Sequence, residues 1–126
     1  MIEDPNGHWL PLLNDSVDAE LHYLRKIGSS NNLLYACGNL GAFEALLNII
    51  KNREKGVPVY EAVASVSTAF TGNAGILNRL KHLRKLELLD EKSGEKKSQV
   101  CLVPTEKLLQ EIGPILCDRY RGIFHK

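Results

Sequence analysis

The chain has 126 residues, 44% apolar and 25% charged, proportions of a globular domain long enough to bury roughly two-thirds of its unfolded surface. These values argue against wholesale disorder, and no apolar run approaches the ~20 residues a membrane span needs. The opening residues carry acids where a secretory leader carries bases, so a cytoplasmic protein with no membrane contact is expected.

Net charge is +1, but the charges are segregated. Residues 1–24 hold Glu3, Asp4, Asp15, Asp18 and Glu20 against no Lys or Arg, whereas residues 51–97 hold ten bases against six acids. A basic middle suits either solvated faces or a polyanion-binding surface, and the architecture must decide between them. Cys37, Cys101 and Cys117 are odd in number and form no Cys-x-x-Cys pair. They read as small core residues, not as a disulfide, zinc or redox set.

Residues 1–15 form an arm whose Trp9, Leu10 and Leu13 are expected to pack on the body. Val17, Leu21, Leu24 and Ile27 recur at helical spacing and predict a helix over Ser16–Ile27. Asp15 and Asp18 suit its positive end, Arg25 and Lys26 its negative end, and Gly28 the position after it. From Leu33 to Ile50 the apolar residues again step by three and four. Gly38 and Gly41 weaken this stretch by about 1 kcal/mol each relative to alanine, which predicts a break near Gly38-Asn39 and a firm helix over Leu40–Arg53.

Two short helical patterns follow, Val59–Val66 and Asn73–Leu86, joined by the small and polar residues Ser67–Gly72. With Ile76 at zero and about 100° per residue, Leu80 falls near 40° and Leu83 near −20°, a stripe that faces the core. Ala74, Asn78, Lys81 and Lys85 point the opposite way, bordered by Leu77 and His82. A helix entering a DNA major groove needs small residues near the base edges, an amide for adenine and cations for phosphates, and this face supplies all three.

Leu88–Lys92 and Ser98–Val103 flank a Gly-centred charged turn and predict a β-hairpin with Lys92, Lys96 and Lys97 on or beside its tip. The order of helix, helix-turn-helix and hairpin is that of a winged helix. Thr105 is a plausible N-cap for a C-terminal helix that carries Leu108, Leu109 and Ile112, and Gly113-Pro114 is expected to interrupt it. Leu116, Tyr120, Ile123 and Phe124 then resume an apolar face. With Leu21, Leu24 and Ile27 they offer more apolar surface than a small winged core covers, so a homodimer through the terminal helices is expected.

Over roughly Leu40–Leu109 the chain resembles the MarR-type winged-helix transcriptional regulators. The resemblance rests on Leu80, Leu83, Leu86 and Leu88-Leu89 leading into the wing, and on Val103-Pro104-Thr105-Glu106-Lys107, which is similar to the family's Leu-Thr-Glu-x-Gly. Asp90 corresponds to the acid of the family's wing. Glu87 stands where the family commonly has a glycine before the first wing strand, and Leu108 where it has one after Thr-Glu-x. The resemblance also implies a dimer.

No phosphate-binding glycine loop, nucleophile elbow or zinc-protease motif is present, and His8, His22, His82 and His125 are scattered. No enzyme, cofactor or metal is expected. The fold expected is mainly α with a small β-hairpin, a winged helix-turn-helix flanked by N- and C-terminal dimerisation helices. It is a single domain over 1–126, with arm 1–15, dimerisation elements 16–38 and 105–126, and core 40–103. The expected function is sequence-specific double-stranded DNA binding in transcription regulation. Helix 73–86, through Asn73, Ala74, Leu77, Asn78, Lys81 and Lys85, reads the major groove, and wing 88–103 contacts phosphates. A small-molecule effector, if one exists, has no signature here. The alternative is a winged-helix protein-interaction module without DNA binding, favoured by the uncharged run Ala62–Asn78.

Overall fold

The computed structural model describes residues 7–67, 72–95 and 99–124, with side chains through Arg119. Described residues are mainly helical, with a small three-stranded antiparallel sheet. A short 3-10 turn, Leu10–Leu12, leads into α1 (Leu13–Gly28), which starts one turn earlier than its spacing predicts. The apolar stripe of α1 divides. Ile27 is buried with Tyr23 in the core, whereas Val17, Leu21 and Leu24 are exposed, as are Trp9, Leu10 and Leu13 of the expected packed arm.

The reason is rotational. Tyr23 and Ile27 lie about a quarter-turn around α1 from Leu13, Val17, Leu21 and Leu24, and packing against α2 and the C-terminal helix turns that side inward. Arg119 lies over the Tyr23 ring at 4.1 Å and forks onto Glu20, its Nε and Nη2 each donating to a carboxylate oxygen at 2.8 Å. Ile27, expected at a dimer interface, is therefore a core residue of its own chain. Leu116 is likewise half-buried against the same core. The side chains of Tyr120, Ile123 and Phe124 lie outside the described residues.

Helix α2 (Asn31–Cys37) is capped by Ser30, whose Oγ accepts from the Leu33 amide, and α3 (Leu40–Lys51) by Asn39, whose Oδ1 accepts from the Ala42 amide. These caps satisfy amides that a helix start leaves without partners. The break falls at Gly38-Asn39, as the sequence predicts, and the two helices meet at 97°. At Gly38 a β-carbon would lie 2.5 Å from the Leu34 carbonyl oxygen, so glycine permits the turn. Ala42, Ala45, Leu46 and Ile49 are fully buried and set one face of α3 at the centre of the molecule, while Leu40 and Leu47 stay exposed.

After α3 come β1 (Val57–Pro58), α4 (Val59–Ala64), α5 (Asn73–Lys85), β2 (Leu89–Ser93), β3 (Val100–Pro104) and α6 (Glu106–Phe124). Strands β2 and β3 form the expected hairpin, with Glu91 opposite Leu102, and β1 adds on the other side of β3 through Val57 opposite Leu102. Strand β1 has no sequence signature because two residues, one of them proline, show no alternation; as an edge strand it tolerates the proline. Gly56 brings it in at φ +81°, where a β-carbon would meet Cys101 Cβ at 2.9 Å.

Helix α6 runs through Pro114 without the predicted interruption. A proline inside a helix costs about 3 kcal/mol. Burial offsets it here, with Leu108 and Ile112 fully buried before the proline and Ile115 and Leu116 packed on the core after it. No single helix among the described residues is long and apolar enough to cross a membrane.

The passage from α5 into the sheet turns on Glu87, the one described non-glycine residue with positive φ, at 62°. This is the position where the family resemblance implies glycine. Its carbonyl accepts from Thr105 Oγ1 at 2.7 Å, and the same Oγ1 accepts from the Leu108 amide at 3.2 Å, so Thr105 caps α6 as predicted while tying it to the end of α5. A left-handed L-residue costs roughly 1–2 kcal/mol, and glycine loses about 0.5–1 kcal/mol more in chain entropy. Glu87→Gly is therefore expected to raise stability by up to about 1 kcal/mol in urea unfolding. A loss of stability would show that the Glu87 side chain, not its backbone, governs this junction.

Candidate nucleic-acid interface

The exposed face of α5 is set by what its opposite face buries. Ile76, Leu80 and Leu83 are at most 2% exposed, each worth roughly 1.5–3 kcal/mol of transfer from water, and they fix the helix's rotation. Ala74, Asn78, Lys81 and Lys85 then point to solvent, as the helical wheel predicts, and Asn73, at the first position of the helix, is exposed beside α4. Leu77 does not belong fully to that face. It is half-buried and lines a groove of about 280 Å³ with Val59, Tyr60, Val63 and Ala64 of α4 and Asn73 and Ala74 of α5.

Both flanks of α5 are clamped, by Arg79 and Arg84, which the wheel leaves unassigned, and by His82, which borders its polar face. On one side, the Arg79 guanidinium lies 4.9 Å from the centre of the Tyr35 ring and donates through Nη1 to the Tyr35 carbonyl at 3.3 Å. The His82 ring packs against the same tyrosine, with centroids 4.2 Å apart. On the other side, Arg84 pairs with Glu91 of β2 at 2.6 Å. This pair is half-exposed, so its value is geometric more than energetic: it holds the hairpin against the helix. Between helix and sheet lies a cleft of about 510 Å³, floored by Val59, Leu77, Leu80 and Leu102 and rimmed by Lys81, Arg84, Lys85 and Glu91.

Approach to α5 is fixed from α3. The Glu44 carboxylate accepts from the Ser67 amide at 3.0 Å and from its hydroxyl at 2.9 Å, and Asn48 Nδ2 donates to Ser65 Oγ at 3.2 Å. Glu44 thus holds the end of the α4 segment where the chain leaves for α5. Sequence patterning missed Glu44 because its partners are about twenty residues away. It missed Tyr60, 91% exposed at the start of α4, because nothing in local spacing marks an aromatic residue as uncovered.

The hairpin carries its cations unevenly. Lys92 is exposed, yet its ammonium donates to the Glu54 carbonyl at 2.6 Å and braces the hairpin against the turn after α3. Lys96 and Lys97, expected at the tip, lie outside the described residues. Of the residues expected to bind DNA, the fold therefore gathers Ala74, Asn78, Lys81 and Lys85 on one solvent face and sets Asn73, Leu77 and Lys92 at its margins.

Among the described residues no group of His, Cys, Asp and Glu is arranged to hold a metal ion. No protein-family model matches the sequence, and no curated protein or solved structure matches it.

The cysteines differ from their common reading as core residues. Cys101 is buried and Cys37 half-buried, but Cys117 is exposed on α6. Burial pushes the Cys37 thiol up to about 11, so at neutral pH it is held as the unreactive thiol. Iodoacetamide at pH 8 is expected to label Cys117 first. Cys37 should lag, its rate rising about tenfold per pH unit while pH stays below its pKa, because only the thiolate reacts. Equal rates for the two would show that the α1–α2–α6 corner opens in solution.

Proposed function

We propose that the chain is a sequence-specific double-stranded DNA-binding transcriptional regulator built as a winged helix. Helix α5 lies in the major groove and the β2–β3 hairpin serves as the wing. One observation carries the reading: α5 turns Ala74, the Asn78 amide, Lys81 and Lys85 to solvent on a single face, with its aliphatic stripe buried behind them. Amides and small side chains suit base edges, and lysines suit phosphates as point charges. Arg84, Glu91 and Lys92 brace the wing beside that face, and Lys96 and Lys97 join the phosphate set by sequence. The MarR-type identity is part of the same proposal, and Glu87 at the position implied to be glycine supports it through its positive φ.

Titration of a labelled duplex at two salt concentrations tests the reading. Binding should fall steeply with salt, and Lys81→Ala and Lys85→Ala should each weaken it and reduce the logarithmic salt slope by about 0.9. Folding should be unaffected, since both side chains are exposed. Unchanged affinity in both variants, with unchanged circular dichroism, would remove α5 from the interface. Salt-insensitive capture of one protein partner, with no duplex binding, would instead favour a protein-contact module using the groove beside Tyr60.

Self-association through the terminal helices belongs to this proposal, with the interface moved. Leu13, Val17, Leu21 and Leu24 form an uncovered stripe on α1, Leu24 being 59% exposed, while Ile27 is spent on the core. Two reading helices related by a two-fold axis would address half-sites about 34–36 Å apart. Sedimentation should give a dimer at micromolar concentration, and the double variant Leu21→Glu, Leu24→Glu should give a folded monomer. A monomeric native chain would overturn the dimer.

A further inference from the structure

The DNA-binding reading leaves open which base pairs α5 addresses, and the chemistry at its front end narrows the choice. Base edges are read mainly from the N-terminal part of a helix laid in the major groove. There α5 offers Asn73, Ala74, Leu77 and Asn78. An asparagine amide donates and accepts side by side, which matches adenine N6 and N7, whereas guanine presents two acceptors and calls for a guanidinium or an ammonium. Both arginines of α5 are engaged elsewhere, Arg79 on Tyr35 and Arg84 on Glu91. From Gly56 to Asn78 the sequence contains no lysine or arginine at all. Lys81 and Lys85 lie one and two turns beyond Asn78, nearer the hairpin, where Arg84 and Glu91 bridge helix and sheet.

The groove beside these amides is apolar. Val59, Tyr60, Val63 and Ala64 face Ala74 and Leu77 across about 280 Å³, and aliphatic side chains of this kind contact the thymine C5-methyl group, the one apolar feature of the major-groove edge. We propose that the front of α5 and its groove recognise A·T base pairs, Asn78 reading adenine and Ala74 and Leu77 meeting thymine methyl groups. Each half-site is thereby A·T-rich under the start of the helix. This inference rests on the DNA-binding reading, and the occupant is duplex DNA because Lys81 and Lys85, which rim the cleft that shares Val59 and Leu77 with this groove, complement a phosphate backbone.

The test uses the full chain on a labelled mixed-sequence duplex, with alternating poly(dA-dT) and poly(dG-dC) as competitors. Poly(dA-dT) should displace the label at a concentration about tenfold lower, within the discrimination of one bidentate contact. Replacing thymidine by deoxyuridine removes only the methyl group, and replacing adenosine by 7-deazaadenosine removes only the N7 acceptor. In an A·T-rich duplex each should weaken binding by about threefold or more, and Asn78→Ala should abolish the response to 7-deazaadenosine. Salt-dependent binding with equal competition, or with poly(dG-dC) preferred, overturns the base assignment and leaves DNA binding standing. A preference for A·T that ignores both replacements also overturns it, because minor-groove shape would then be what is read. An Asn78→Ala variant still sensitive to 7-deazaadenosine overturns the role of Asn78. Absence of binding to every duplex overturns the DNA-binding reading and this inference together.

Discussion

The burial of Ile76, Leu80 and Leu83 against the centre of the molecule is the constraint on which the rest of this structure depends. A helix has one rotational degree of freedom about its axis, and three aliphatic side chains removed from water leave it little. Once that rotation is fixed, the solvent face of α5 is fixed too, and so are its flanks. Arg79 and His82 fall beside Tyr35 of α2, and Arg84 falls beside Glu91 of β2. These contacts do not create the orientation. They narrow it, and in doing so they withdraw two guanidinium groups from the surface that the helix presents.

The same constraint reaches the sheet and the last helix through one junction. Leu88 and Leu89 must enter the core directly after α5, which forces a reversal within a single residue, and Glu87 takes it in a left-handed conformation. Thr105 then joins the Glu87 carbonyl to the first turn of α6. Exit from α5, the return of the hairpin and the start of α6 are thus held at one point.

At the other end of the molecule, α1 is governed by a competition for its own surface. Its apolar residues span more than one face; Tyr23 and Ile27 are the part that turns inward, and Arg119 holds that side through the Tyr23 ring and Glu20. Leu13, Val17, Leu21 and Leu24 remain in water as a continuous stripe. A stripe of that extent on a helix is costly when left uncovered, and its coverage by a second copy is the reading that the proposed dimer adopts.

Local periodicity and capping chemistry were enough to define much of this protein. The break at Gly38-Asn39, the stripe of α5, the solvent face of Asn78, Lys81 and Lys85, the β2–β3 hairpin and the Thr105 cap all follow from interactions within a few residues, where spacing along the chain equals spacing in the helix or strand. Other features needed distant partners. Strand β1 exists because Gly56 brings two residues beside β3, and Pro114 stays helical because the residues around it are buried. Ile27 turns inward because it packs with Tyr23 in a core assembled from distant elements, and Arg79, which the helical period already sets off the outer face, is held on Tyr35 of α2. Sequence by itself determined which residues share a face, since the 3.6-residue period is local. Only the tertiary structure decided which faces are covered and which charges are already paired, since burial and pairing are properties of neighbours that the chain brings together from afar.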